Sequence, residues 1–354
     1  MSQDNPTARA IALQAQACAA LGSAFSGALL ASAADDVDAG GPTAAVMAPW
    51  SGKDARAQIA DAAPLRLLGA LHDLALSGDA PALSALYPSA GFAGDAAAAW
   101  PVARALLAEH AGRIGAFLGH EPQTNETRRS VALLPGFLTV AAQTGLPIRA
   151  FEIAASAGLN SLWDRYHYDL GAAGQWGDAA SGVRLDTEWR GGPPPLDAPV
   201  RVVERRACDR APIDVRDPVA RRRLKAYIWA DQPERLARLD AAVQAVLAAD
   251  ARVEAADAVA WPEQRAAPVD GAVTVLFHSV FWQYMPAESQ AALTAAIQRL
   301  GNLATAAGPF AWLRMEPPAD NLSLMELRLT LWPTREERLL GRCHPHAAWV
   351  EWMG

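Results

Sequence analysis

From residue 146 onward, short apolar runs alternate with stretches of helical period, and that alternation is the signature of a parallel β-sheet with helical crossovers. Five such runs are legible: 148–154, 201–210 ending at Asp209, 252–258 ending at Asp257, 272–278, and 310–316. The fourth is almost wholly apolar, as a strand covered on both faces must be. Helices are expected over 217–230, 232–249 and 286–300. The stretches 323–332, 337–343 and 347–352 read as antiparallel strands closing one edge of the sheet.

Residues 1–145 behave differently. Almost nothing there repeats with period two, and alanine is abundant, so this part reads as an all-helical module. One helix is expected over 8–34, with Ile11, Cys18, Leu21, Phe25 and Leu29 on a common stripe. Others are expected over 65–76, 95–118 and 126–144. His72 and His110 are read as packed or surface residues of these helices. The polar loop 120–126 precedes the last of them. Thr124 or Asn125 suits a helix cap and Glu126 its first turn. The alternative reading has Asn125 and Glu126 contacting a ligand.

The first run of the sheet meets a cluster of tiny residues, Ala154, Ala155, Ser156, Ala157 and Gly158, before a helical pattern that includes Asn160. Small residues let a ligand approach the backbone, and Glu152 sits near the carboxyl end of the strand, where open α/β sheets bind ligands. Ala154 stands where a glycine is usual. Polar groups recur at the ends of the later strands. Asp209 is placed to accept from a ribose diol. Asp257 is placed to accept from an adenine amino group, with small Ala258 leaving room for the ring. His278 ends the fourth strand as a candidate base, and Trp282, Gln283 and Tyr284 follow it as substrate-orienting candidates. Asp209 lies much further from Glu152 than the roughly 20 residues of a compact βαβ unit. An inserted hairpin over about 176–206 is expected to account for the difference, with Trp176 and Trp189 as its packing anchors. Otherwise Asp186 or Glu204 is the ribose acid.

Composition narrows the function classes. The formal charge of −7 argues against a broad nucleic-acid-binding face, which needs clustered Lys and Arg. No run approaches the ~18 apolar residues of a membrane span. Three scattered cysteines define neither a disulfide framework nor a zinc cage, which suits a reducing cytoplasm. His344 and His346 lack acids or cysteines at ligand spacing, so no metal is expected. GxSxG, P-loop, HExxH and GxGxxG motifs are missing, which disfavours hydrolase, phosphate-loop, zinc-protease and nicotinamide readings.

The order of strand ends and the closing antiparallel strands resemble class I S-adenosylmethionine-dependent methyltransferases over about 146–354. At finer detail the chain resembles the bacterial domain-of-unknown-function 2332 family nearly end to end. The likeness rests on GlnThrAsnGlu (123–126), GluIleAlaAlaSerAlaGlyLeuAsn (152–160), TrpAspArgTyr (163–166), CysAspArgAlaProIleAsp (208–214), TrpAlaAspGln (229–232), the segment 277–286 and MetGluPro (315–317). That family implies a methyltransferase-like fold and no substrate.

The expectation is therefore an α/β protein with two parts. Residues 1–145 form a helical module and 146–354 a Rossmann-like, methyltransferase-type domain. Its function is expected to be methyl transfer from S-adenosylmethionine to a small molecule in the cytoplasm. Glu152, Ala154, Ser156, Gly158, Asn160, Asp209, Asp257 and Ala258 hold the cofactor. His278 and Tyr284 are the catalytic candidates, and Asn125, Glu126, Trp282 and Gln283 meet substrate. The competing expectation, motivated by Ala154, is a non-catalytic binding or scaffold protein. Neither expectation carries an oligomeric state.

Overall fold

The computed structural model describes residues 5–321 and 323–354. They group into two compact units, residues 5–124 with 216–237, and residues 125–215 with the described part of 238–354.

The first unit is helical. Its longer helices are Pro6–Ala20, Ala24–Asp38, Ala63–Leu76, Ala96–Glu109 and Ala111–Leu118, joined by Pro218–Ala226. The single helix expected over 8–34 is in fact two. The break falls at Gly22, whose φ of +89° suits a residue without Cβ and ends the first helix. Ile11, Cys18, Phe25 and Leu29 are buried as the stripe required, whereas Leu21, at the break, is exposed. His72 is buried and shares its Nδ1 between the carbonyls of Ala226 (3.2 Å) and Ile228 (3.0 Å). Burial holds its pKa down at about 4. It is a packed histidine.

The second unit is built on a nine-stranded, mostly parallel sheet. In chain order the strands of this unit are β1 (Ile148–Ile153), β2 (His167–Asp169), β3 (Gln175–Gly177), β4 (Arg184–Asp186), β5 (Glu188–Arg190), β6 (Val202–Asp209), β7 (Glu254–Ala255), β8 (Val273–Ser279), β9 (Phe310–Glu316), β10 (Met325–Trp332), β11 (Glu336–Cys343) and β12 (Trp349–Trp352). The sheet order is β5-β12-β11-β10-β9-β8-β1-β6-β7. From β7 to β9 all pairings are parallel, and β9 through β12 run antiparallel, as the sequence pattern required. The chain winds outward from β1 through β6 to β7, then returns to β8 on the other side of β1. The strand order reverses between β1 and β8, and in such sheets ligands bind beyond the carboxyl ends at that reversal.

The segment over 176–206 is not a hairpin feeding back into the sheet. β2, β3 and β4 form a separate three-stranded sheet, and β5 pairs in parallel with β12 at the far edge of the large one. Trp176 stacks on Trp163 (5.9 Å) and Trp189 packs against Trp352 (6.3 Å), so both act as packing anchors.

Helix Arg129–Thr144 belongs to this unit and covers one face of the sheet. Its Phe137 stacks on Trp163 (3.9 Å) and meets Phe277 of β8 edge-on (5.0 Å). Gly136 makes this close approach possible, because a Cβ there would stand 2.3 Å from Leu313 Cδ1. The opposite face carries Phe151, Ile153, Cys208, Leu276 and Trp312 with Trp261 and helix Ala287–Asn302. Among the described residues no helix is long and apolar enough to cross a membrane.

Candidate functional site

The carboxyl end of β1 runs into a turn of unusual backbone. Ala154 (φ 55°), Ser156 (φ 54°) and Gly158 (φ 73°) all lie in the left-handed region, which costs non-glycine residues energy and persists only where the surroundings enforce it. Across the strand-order reversal, Val280 (φ 52°) directly follows β8 in the same conformation, a severe departure for a β-branched residue.

The turn is tied down bond by bond. Asp209, at the end of β6, accepts from the Ser156 N–H (2.8 Å) through one oxygen and from the Ala211 N–H (2.8 Å) through the other. Asn125 Oδ1 accepts from the N–H groups of Ala157 (3.3 Å) and Leu159 (3.1 Å). The Ala155 and Gly158 N–H groups donate to the carbonyls of Cys208 and Ala155. A Cβ on Gly158 would lie 2.9 Å from Val253 Cγ2, so that side of the turn is filled. Asn160 is buried and works as a brace: it accepts from Ser130 Oγ (2.6 Å) and donates to the Glu126 carbonyl (3.3 Å). Asn125 therefore neither caps the helix that follows nor stands free at a polar tip. Glu126 is buried, with Oε1 accepting from the Arg128 N–H (3.2 Å) just before that helix.

Two polar atoms in this region are left over. Glu152 is 3% exposed and its Oε2 is buried without a hydrogen-bond partner; Ser156 Oγ is in the same position. Burial pushes the Glu152 carboxyl well above the usual carboxylate range. The nearby Asp209 charge adds to the effect and Arg205 opposes it.

Register decides which candidates share a face. Glu152 lies opposite Ala207 of β6 and Phe277 of β8. Asp209, two residues past Ala207, therefore points to the Glu152 face, and His278, one past Phe277, points to the other. The expected convergence of Glu152, Asp209, Asp257 and His278 on one pocket is thus only partly present. Glu152, Ser156 and Asp209 are brought together. Asp257 is exposed beyond β7, where Oδ1 accepts from the Val259 N–H (2.8 Å) and its carbonyl from the Trp261 N–H (3.1 Å), a turn and cap role. Ala258 packs half-buried against the apolar cluster of the opposite face.

His278 is fully buried and both ring nitrogens are engaged. The Trp312 indole N–H, which can only donate, gives its hydrogen to Nε2 (3.0 Å). The imidazole proton therefore sits on Nδ1 and is donated to Glu316 Oε1 (2.7 Å). Glu316 also accepts from the N–H groups of Phe281 (3.0 Å) and Trp282 (3.1 Å), and so clamps the turn after β8. Trp282 stacks on the His278 ring (5.7 Å, 15°). In this arrangement His278 has no free nitrogen with which to take a substrate proton. Beyond the clamp, Gln283 and Tyr284 are exposed, Tyr284 at 74%. Sequence reasoning gave no role to Glu316, Trp312 or Val280. An acid ending the strand beside the histidine-bearing one was the available signal. Among the described residues no group of three or more His, Cys, Asp and Glu is arranged to hold a metal.

A family model described as "Uncharacterized protein conserved in bacteria (DUF2332)" matches residues 8–352. No match is found among curated proteins or among solved structures.

Proposed function

The chain belongs to that bacterial family, and from this premise we propose that it binds S-adenosylmethionine at the carboxyl ends of β1 and β6 and transfers a methyl group to a small molecule. The observation that carries the reading is the pair of buried, unpartnered polar atoms, Glu152 Oε2 and Ser156 Oγ, at the reversal of strand order. Buried polar groups are rarely left unsatisfied, and those that are call for a reason.

The fit to this cofactor comes from side chains. A buried acid suits a ligand that brings a cation, and a free hydroxyl suits either a donor or an acceptor. The backbone of the turn fits less well, since Asn125 already takes the N–H groups of Ala157 and Leu159. We therefore assign the cofactor contacts to Glu152, Ser156 and the remaining lone pairs of Asp209. When bound, the cofactor supplies an electrophilic methyl on a sulfonium. The chain's task is then to align an acceptor and keep water out, for which a base is not required. Gln283 and Tyr284 are the exposed groups assigned to the acceptor. His278 is given no proton-transfer role. The reading places the protein in the bacterial cytoplasm, without a nucleic-acid or membrane partner.

A second reading, binding without turnover, is favoured by the sealed His278 and by Asn125 closing the turn. Calorimetry with S-adenosylmethionine tests the first step for both. Formation of S-adenosylhomocysteine over a metabolite panel separates them. A folded protein giving no heat at ~1 mM ligand counts against both, because a resident cofactor binds well below that concentration.

A further inference from the structure

The helical unit borders a cleft of about 440 Å³, a volume within the range of small-ligand sites. Val46, Trp50 and Leu118 give it an apolar wall, and Lys53, Asp61 and Arg66 give it charge. Gly115 and Gly119, four residues apart at the end of helix Ala111–Leu118, share a face and also line it. A Cβ on Gly115 would meet nothing within 4 Å, so the missing side chain leaves the space open.

The charges in the cleft do not cancel. Asp61 Oδ2 accepts from the Trp50 indole N–H (3.1 Å) and is ion-paired to Lys53. With its N–H so used, the Trp50 ring offers the cleft only hydrocarbon. Arg66 donates Nε–H to the Asp61 carbonyl (2.9 Å) and Nη1–H to the Leu118 carbonyl (3.1 Å). Those bonds fix the guanidinium at the wall but bring no compensating charge. Among the described residues Nη2 meets no acceptor and Arg66 has no ion-pair partner. Two cations thus stand against one carboxylate, beside an aromatic wall and a gap. A guanidinium fork matches the two oxygens of a planar carboxylate.

We propose that this cleft binds a small aromatic carboxylate, its charge held by Arg66 and Lys53 and its ring against Trp50 over Gly115 and Gly119. Every lining residue belongs to the helical unit, so the inference does not draw on the methyl-transfer reading.

The test is calorimetry on the full chain at low salt with indole-3-acetate, indole-3-acetamide and tryptamine, which carry one ring with an anionic, a neutral and a cationic end. Indole-3-acetate is expected to bind with Kd at or below about 1 mM and the amide about tenfold more weakly. Gly115→Leu fills the gap with a better helix former, so binding is lost while the melting temperature holds or rises. Asp61→Asn keeps an acceptor for the Trp50 N–H and releases Lys53, so the acid binds about threefold tighter; Lys53→Gln weakens it by a similar factor. Equal affinity for acid and amide, preference for tryptamine, weaker binding of the acid in Asp61→Asn, or binding that survives Gly115→Leu overturns the inference. Failure of indole-3-acetate to bind at ~5 mM does the same. Should Gly115→Leu melt below the native chain, Lys53→Gln decides, because that side chain is half exposed and dispensable to the fold; unchanged affinity there overturns the inference.

Discussion

Replacing Glu316 with Gln probes the His278 clamp at one atom. Oε1 of Glu316 faces the Nδ1–H of His278, and both oxygens face backbone N–H groups of Phe281 and Trp282. An amide presents one oxygen and one NH₂. Whichever way it is turned, the NH₂ meets a donor and leaves a buried hydrogen unsatisfied. His278 cannot relieve the conflict by moving its proton, because Nε2 must keep accepting from Trp312. Losing charge-assisted bonds at one oxygen and stranding a buried donor costs about 2–4 kcal/mol. Urea unfolding with an unchanged m-value measures it, and amide exchange at Phe281 and Trp282 should quicken. Trp312→Phe removes the constraint on Nε2. The histidine proton can then shift to Nε2, and Nδ1 becomes an acceptor for the new NH₂. In the Trp312→Phe background Glu316→Gln should therefore cost about 1 kcal/mol less than in the native chain. A cost below ~0.5 kcal/mol in the native background, or strict additivity of the two changes, refutes the tautomer argument.

Three further outcomes follow from the packing and the charges. Gly136→Ala places a methyl 2.3 Å from Leu313 Cδ1 and should destabilise by about 1–3 kcal/mol, read from the denaturation midpoint; a neutral effect would mean the helix lifts off the sheet without cost. Ala154→Gly relieves a left-handed alanine and should stabilise by ~0.5–1 kcal/mol in the same assay, and a loss of stability would count against the strain. The Glu152 carboxyl titrates higher folded than unfolded, so its contribution to stability is full below the ordinary carboxylate range and is lost as pH rises through the folded-state value. Glu152→Gln should accordingly gain on the native chain as pH is raised from 4 to 8 in parallel unfolding titrations, and a pH-independent difference would show the acid to be unperturbed.

What the sequence discloses here is what local chemistry controls. The apolar runs of β1, β8 and β9 had to be interior strands, and Asp209 had to end its strand. The break at Gly22 was also local, but an unbroken apolar stripe on either side concealed it. The small sheet of β2–β4 and the docking of β5 on β12 were not legible, because three-residue strands owe their existence to partners far along the chain. The candidate site shows the same division. Glu152 and His278 were each visible as polar ends of apolar strands, yet which face each occupies depends on register. Pairing Glu152 with Phe277 rather than His278 is a one-residue matter that turns the histidine to the other side. Asn125 looked like a helix cap because asparagine suits one, whereas its oxygen is taken up by the Ala157 and Leu159 amides of a distant segment.

The large sheet tapers at both flanks, to three residues in β5 and two in β7. An extended peptide arriving at either margin meets only two or three backbone groups in line, too few to register as a new strand. The interior of the sheet, with buried apolar stretches such as Val275–Phe277 of β8, is the material from which intermolecular β-stacks grow. The stubby outer strands keep that material enclosed, so the assembly is self-limiting once folded. Lengthening β7 with a few β-branched residues would remove that restraint and turn a closed surface into a template.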